Sequence, residues 1–133
     1  MAQATLHWIE GKRFIGIDST NHSAVLSTPS EGIGMKPSEL LLLALAGCTA
    51  VDVVEILQKK RIPLTKLEIQ TSAEQDPEPP WTFRKIHLTY ILQGDGLTAK
   101  DAEAAIRLSE EKYCSVAATL RPTAQITWDY QIL

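Results

Sequence analysis

The feature that most constrains this chain of 133 residues is an apolar run at residues 40–51, which reads LLLLALAGCTAV. Pro37 suits the first position of a helix, the basic residues 59–61 suit its last turn, and Pro63 stops it, so we predict a helix over residues 37–60. A helix that is apolar all round must be buried on all sides. So short a chain has few elements to surround it, and we therefore predict that a second copy completes its burial in a homodimer.

The remaining segments alternate between short apolar strands and turn residues, with one further helix. We predict strands at residues 2–9, 13–18, 23–27, 64–73, 84–92 and 123–133, and a second helix at residues 99–113. The order β-β-β-α-β-β-α-β is typical of an α+β protein with antiparallel sheets. The chain length predicts a single domain, residues 1–133.

Composition and motifs exclude several classes of function. Thirteen Lys and Arg against sixteen Asp and Glu give a net charge of -3, so no nucleic-acid partner is expected. The apolar run is shorter than the roughly 18 residues that cross a bilayer, which predicts no membrane association. The N-terminus does not resemble a signal peptide, so we expect a cytoplasmic protein. The three histidines lack metal-ligand spacing and no cofactor motif is present, so neither a metal nor a cofactor is expected.

Two cysteines are the candidate reactive groups. Cys48 lies inside the long helix and Cys114 lies at the end of the second helix. From the residues alone, burial of Cys48 as a small apolar side chain is the preferred interpretation, and redox chemistry is the alternative. Gly47 in a helix interior is unfavourable by about 1 kcal/mol relative to Ala, which indicates that another helix or a ligand approaches closely there.

Two motifs resemble those of the OsmC/Ohr family. Residues 34–49, GMKPSELLLLALAGCT, resemble its central-helix signature, and residues 111–116, EKYCSV, resemble its second cysteine motif. The resemblance implies an intertwined homodimer that reduces organic hydroperoxides in oxidative stress, with redox-active thiols at the subunit interface. It implies that Cys48 is the peroxidatic thiolate and Cys114 the resolving thiol. A lipoylated protein or another dithiol would then reduce the disulfide.

The same resemblance implies an arginine on the N-terminal strands, held by a glutamate at the start of the central helix. Arg13 is the candidate arginine and Lys12 the second choice. Ser38 occupies the usual place of the glutamate. Glu39 is one residue further on, a rotation of about 100° around the helix. We expect Glu39 or Ser38 to orient Arg13.

The apolar residues Leu41 and Leu45, together with Ser38, are the candidate substrate-binding residues. Asp52 lies one helical turn after Cys48, where a carboxylate would raise the pKa of the thiol. A thiol peroxidase is therefore the preferred function. One alternative is a non-catalytic protein that binds a small apolar ligand in the same interface pocket. The other is a different thiol reaction with an electrophile.

Overall fold

The computed structural model describes residues 2–133, which form two compact units that divide between Leu41 and Leu42. Each unit is described separately below. The assignment of residues 1–133 to a single domain stays a prediction.

The first unit contains three strands that pair in sequence order. They are β1 (Ala4–Glu10), β2 (Arg13–Asp18) and β3 (Ser23–Ser27), all antiparallel. Gly11 (φ 54) and Asn21 (φ 63) provide the left-handed backbone that the two tight turns require. The two predicted hairpins are confirmed, and the bounds of β2 and β3 are those expected from the sequence.

The long helix α1 (Pro37–Lys59) begins at Pro37 and has Glu39 in its first turn and Lys59 in its last turn. Within one chain it is buried on one face only. The buried side chains follow helical spacing: Leu42, Leu45, Ala46, Thr49, Val53 and Leu57. By contrast, Leu43 is 53% exposed and Val51 is 66% exposed. The predicted burial on all sides is therefore not met by a single chain.

The apolar character of α1 extends beyond the twelve residues counted in the sequence. An 18-residue window of this helix has a mean hydropathy of 2.2, so length and composition alone would allow it to cross a membrane. The length of the apolar run at residues 40–51 therefore does not exclude a membrane span. A third of that window is buried inside the chain, and the core helix of a soluble protein meets the same criterion.

The second unit is built on a sheet of β4 (Leu64–Gln75), β5 (Phe83–Gly94) and β6 (Gln125–Ile132), in the order β4-β5-β6. Alternate side chains of β5 are fully or almost fully buried, namely Ile86, Leu88, Tyr90 and Leu92. They form one apolar core with the buried face of α1 residues 42–57 and with Ala105, Ile106 and Ala117.

The prediction of antiparallel sheets is wrong for one pair of strands. β4 and β5 are antiparallel, but β5 and β6 are parallel, with Leu88 opposite Trp128. A parallel pair needs a crossover connection. Here the crossover consists of α2 (Ala99–Leu108), a π-helical segment (Ser109–Tyr113) and α3 (Ser115–Leu120). The predicted α+β class and element order are confirmed, with the second helix divided into these three parts.

The first part of the crossover has the expected cap and inner face. Thr98 caps α2 by accepting a hydrogen bond from the backbone N–H of Asp101 at 3.2 Å. The side chains predicted to face inward, Ala102, Ala105, Ile106 and Ser109, are all buried. The π-helical segment follows directly and is capped at its C-terminal end by Cys114.

Candidate active site

The second unit brings the two cysteines together. Cys48 lies midway along α1 and is half-buried, whereas Cys114 is buried with 3% exposure at the junction between the π-helical segment and α3. Cys48 Sγ lies 4.0 Å from Ser115 Oγ, and the two thiols are close enough to shift each other's pKa. Both thiols are free. The predicted proximity of two cysteines far apart in sequence is thus seen in the structure, while their catalytic roles stay predictions.

The surroundings of Cys48 favour its thiolate. Burial opposes the charged form, but hydrogen bonds from the Cys114 thiol, the Val116 backbone N–H and the Ser115 hydroxyl and N–H outweigh it and lower the pKa of Cys48. The backbone donors belong to the first turn of α3, where N–H groups have no partner within the helix. The pKa of Cys48 is therefore lowered by groups from its own unit.

Cys114 is held in the opposite state. Burial and the hydrogen bond to Cys48 raise the pKa of Cys114 to about 12, although its sulfur accepts a hydrogen bond from the Ala117 N–H at 3.3 Å. At neutral pH Cys114 is a thiol that donates to Cys48. The two cysteines therefore differ in the way that a nucleophile and a second, resolving thiol require.

A buried polar cluster lies beside the thiol pair. The Tyr90 hydroxyl donates to Glu110 Oε1 at 2.6 Å, and both residues are almost completely buried. Burial raises the pKa of Glu110, while Tyr90 and Arg121 oppose that shift. Burial and the Glu110 carboxylate raise the pKa of Tyr90. Arg121 donates to the backbone carbonyl of Glu110, which anchors the π-helical segment.

Asp52 does not act on Cys48 as the sequence led us to expect. Its carboxylate accepts a hydrogen bond from the Ser109 hydroxyl at 2.8 Å. The pKa of Cys48 is set mainly by burial and by the hydrogen-bond donors described above, and it is lowered rather than raised. Asp52 lies one helical turn after Cys48 and links α1 to the π-helical segment through this hydrogen bond.

A cleft of about 550 Å³ opens next to Asp52. It is lined by Asp52, Glu55, Ile56, Lys59, Lys60, Leu108 and Tyr113. Asp52 follows Cys48 by one helical turn and Tyr113 directly precedes Cys114, although neither cysteine lines the cleft. Its apolar side chains were not anticipated from the sequence, because they come from α1 and from the crossover, which are far apart in the chain.

The predicted substrate residues are placed differently. Leu45 is fully buried in the core of the second unit, so its assignment as a substrate contact is wrong. It lies on the same face of α1 as Leu42 and Thr49, which the sheet covers. In the first unit, Leu41 is 36% exposed and Ser38 is half-buried. A role for these two in substrate binding stays a prediction.

Arg13 lies in the first unit, on β2, between two carboxylates. Its Nη2 is 3.0 Å from Glu10 Oε1 and its Nε is 2.9 Å from Glu31 Oε2. The second contact is an ion pair in which the N–H is not aligned with an acceptor. Glu39 pairs instead with Lys36 at 3.6 Å. Within one chain, Glu31 from the loop after β3 pairs with Arg13, and the expectation that Glu39 or Ser38 orients Arg13 stays a prediction.

Gly47 has open space beside it in the single chain. A Cβ built at this position meets no atom of the described residues within 4 Å. The close approach inferred from this glycine is therefore not made by another part of residues 2–133.

Comparison with known proteins agrees with the motifs. A sequence model described as OsmC-like protein matches residues 29–129, which is most of the chain. The chain belongs to the OsmC-like protein family. It is 37% identical to protein YhfA of Escherichia coli strain K12 over 131 residues, which covers 98% of both chains.

Solved structures share the fold over nearly the whole chain. A hypothetical protein from Aquifex aeolicus has a TM-score of 0.86 at 28% identity, with 100% of this chain and 98% of that chain covered. The organic hydroperoxide resistance protein OhrB of Bacillus subtilis has a TM-score of 0.66 at 17% identity, covering 98% of each chain. The second likeness establishes only a shared fold.

Sequence reasoning missed the residues that surround the thiols. Ser115 and Val116 act through backbone N–H groups, which no side-chain motif announces. One feature of the sequence could have indicated Glu110. It precedes Cys114 by four residues, a spacing that places two side chains on the same face of a helix. An acidic residue on the buried face of a helix is unusual enough to mark a site.

Proposed function

We propose that this OsmC-like protein is a thiol-dependent peroxidase that reduces organic hydroperoxides. The observation that carries the proposal is the pair Cys48 and Cys114, in which one thiol has a lowered pKa and the neighbouring one is held protonated. The name of the fold relative OhrB, an organic hydroperoxide resistance protein, supports the same substrate class.

In the proposed reaction the Cys48 thiolate attacks the terminal oxygen of the hydroperoxide. The O–O bond breaks, the alkoxide leaves and takes up a proton as the alcohol, and Cys48 becomes a sulfenic acid, oxidised by two electrons. Cys114 then attacks the Cys48 sulfur, the S–O bond breaks, and the products are a disulfide and water. A lipoylated protein or another small dithiol is proposed to return the disulfide to two thiols.

The apolar lining of the cleft next to Asp52 supports an alkyl substrate over hydrogen peroxide. Ile56, Leu108 and Tyr113 supply apolar surface that a bare peroxide does not use. We propose that Arg13 assists by charge-assisted hydrogen bonds to the peroxide, as the family resemblance implies. Because Glu10 and Glu31 already neutralise this guanidinium, its contribution is expected to be smaller than that of an arginine held by one carboxylate.

We also propose that the protein acts as a homodimer in the cytoplasm. The exposed apolar side chains of α1, among them Leu43 and Val51, and the open space beside Gly47 support a second copy on this face. A cytoplasmic location is consistent with free thiols and with a dithiol reductant.

The decisive assay couples turnover of cumene hydroperoxide to dihydrolipoamide oxidation. Wild type is compared with Cys48→Ser, and hydrogen peroxide serves as the competing substrate. Turnover that depends on Cys48, with cumene hydroperoxide preferred, supports the proposal. A wild-type rate no higher than that of Cys48→Ser contradicts it. The second candidate, binding of an apolar ligand in the 550 Å³ cleft without chemistry, would then be tested by titration with cumyl alcohol.

A further inference from the structure

The Tyr90–Glu110 pair is buried, polar and not required by the peroxide-reducing step. Tyr90 is fully buried in the core and Glu110 is 5% exposed. Their hydrogen bond is 2.6 Å long. A carboxyl group in such a place is strongly disfavoured unless its interactions compensate for the lost water. The peroxide-reducing step therefore leaves this buried pair without an assigned role.

Tyr90 and the resolving thiol Cys114 belong to the same core cluster. Glu110 precedes Cys114 by four residues on the π-helical segment, and the Cys114 N–H donates to the Ser109 carbonyl at 2.9 Å, which fixes this turn. A negative charge on Cys114 raises the pKa of Tyr90 further, and the Thr49 side chain on α1 opposes that shift. Tyr90 is thus within electrostatic reach of both Glu110 and Cys114.

We propose that Glu110, acting through the Tyr90 hydroxyl, accepts the proton that Cys114 loses when it forms the disulfide. The inference rests on the proposed function, in which Cys114 resolves a sulfenic acid on Cys48. Cys114 transfers its proton to the Tyr90 oxygen while Tyr90 gives its own proton to Glu110. The S–S bond forms, the S–O bond breaks, and the departing hydroxide takes the proton back from the pair to leave as water. Glu110 is ionised again at the end of the step. It acts on Cys114 only through Tyr90 and holds the proton temporarily.

The chemistry of Cys114 explains why it needs such a group. Burial raises the pKa of Cys114 whether Cys48 is reduced or oxidised, so this thiol supplies little thiolate at neutral pH, and water is a poor base. General-base assistance contributes about 10²–10⁴-fold when the pKa of the base approaches the working pH. Burial shifts Glu110 in that direction.

The charged and titratable groups that face this pair are few. Arg121, after α3, opposes the upward shift of Glu110. Asp52 on α1 is held by Ser109, next to Glu110 in sequence. Among the described residues, Cys114 also acts on Tyr90 from the end of the π-helical segment. A pH profile of the resolving step can therefore be interpreted with these groups in view.

The experiment measures the attack of Cys114 without using a peroxide. Excess 5,5′-dithiobis(2-nitrobenzoate) reacts with Cys48 and releases one thionitrobenzoate. Attack of Cys114 on the resulting mixed disulfide releases a second one, which stopped-flow absorbance follows as a separate phase. Because this leaving group departs without a proton, the phase reports loss of the Cys114 proton. Cys114→Ser, which lacks the second phase, identifies the signal.

Glu110→Gln is the main variant, because its amide oxygen can still accept from Tyr90 but cannot store a proton. We expect the second phase at pH 7 to slow by about 10²-fold or more, with the first phase within twofold of wild type. In wild type the second phase should rise with pH as Glu110 ionises and then level off. In Glu110→Gln it should rise continuously with pH without levelling off, because only the solvent then takes the Cys114 proton.

The chain offers a matched control in a second tyrosine–glutamate pair. The Tyr130 hydroxyl donates to Glu103 Oε1 at 2.7 Å, on the α2 and β6 side of the unit and exposed. Glu103→Gln should leave both phases unchanged. Tyr90→Phe removes only the hydroxyl, and it provides the same test if Glu110→Gln does not fold by near-ultraviolet circular dichroism.

Three results would overturn the inference: a second phase within twofold of wild type, equal slowing in Glu103→Gln, or slowing with a wild-type pH profile. Failure of the proposed function has a different signature, since cumene hydroperoxide would then not oxidise Cys48 although the thionitrobenzoate phases are normal.

Discussion

Activation of Cys48 by the first turn of α3 can be tested by removing its donors in order. Ser115→Ala deletes the hydroxyl, which lies 4.0 Å from Cys48 Sγ, and Ser115→Pro also deletes the backbone N–H. Proline is tolerated at the first position of a helix. The preceding residue, Cys114, has an extended backbone (φ -75, ψ 108) of the kind that a following proline favours. The fold should therefore accept both changes.

The magnitude follows from the kind of bond removed. A hydrogen bond to a charged group contributes about 1.5–3 kcal/mol, and 1.36 kcal/mol corresponds to one unit of pKa. Cys48 is half-buried, so water replaces part of a lost donor and the lower end of that range applies. We expect Ser115→Pro to reduce the reactive thiolate about tenfold at pH values below the pKa. Ser115→Ala removes the larger of the two Ser115 contributions and should account for more than half of the free-energy change in Ser115→Pro.

The assay is iodoacetamide alkylation measured from pH 5 to pH 9. Because Cys48 has a lowered pKa, its rate should rise through that range and level off at a lower pH than that of a free thiol. Cys114, 3% exposed and with its pKa raised to about 12, should not react. If Ser115→Pro reacts within twofold of wild type at every pH, the backbone N–H is not a source of activation. A tenfold loss in Arg13→Ala alone would assign that source to the arginine.

Three further substitutions test the packing of the core, the proposed dimer interface and the charge of Glu110. Leu45→Ala should lower the free energy of unfolding by about 2–5 kcal/mol in urea titrations while leaving KM for cumene hydroperoxide unchanged, because this side chain is in the core. Gly47→Leu should convert the proposed dimer to a monomer in light scattering; a dimer of unchanged mass would contradict that packing. Glu110 has a raised pKa in the folded state, so its contribution to stability is present at low pH and is lost as pH rises through that pKa. Wild type should therefore lose stability relative to Glu110→Gln between pH 4 and pH 8, as urea unfolding at both pH values would show.

Local elements could be predicted from the sequence because their signals are local. β2 and β3 have the predicted bounds, since short apolar stretches end at turn residues. The start of α1 follows from Pro37, and its end is within one residue of the prediction. The parallel pairing of β6 was missed because strand direction depends on the path of the crossover, which no local pattern records. The division of the second helix was missed because its inner face continues through Ser109 into the π-helical segment.

The candidate site was predictable only in its two sulfurs. Cys48 and Cys114 stand in motifs, but the groups around them come from distant elements. Glu31 lies in a loop whose sequence gives no hint of an ion pair with Arg13. Leu45 is apolar, as a substrate contact would need to be, but it lies on the face of α1 that packs in the core. Which face of α1 the sheet covers is decided by packing with β5, and an all-apolar run contains no pattern from which to choose.

The difference between the two cysteines follows from a single asymmetric hydrogen bond together with burial. When Cys114 donates to Cys48, the bond stabilises the thiolate of the acceptor and the neutral thiol of the donor, so one pKa falls as the other rises. The first turn of α3 strengthens the asymmetry, because Ser115 and Val116 donate to Cys48. Once Cys48 is oxidised to a sulfenic acid, its negative charge is gone and Cys114 no longer has a thiolate to donate to. The resolving thiol must then lose its proton elsewhere, and a buried acceptor such as Glu110 would be needed at that stage of the cycle and not before it.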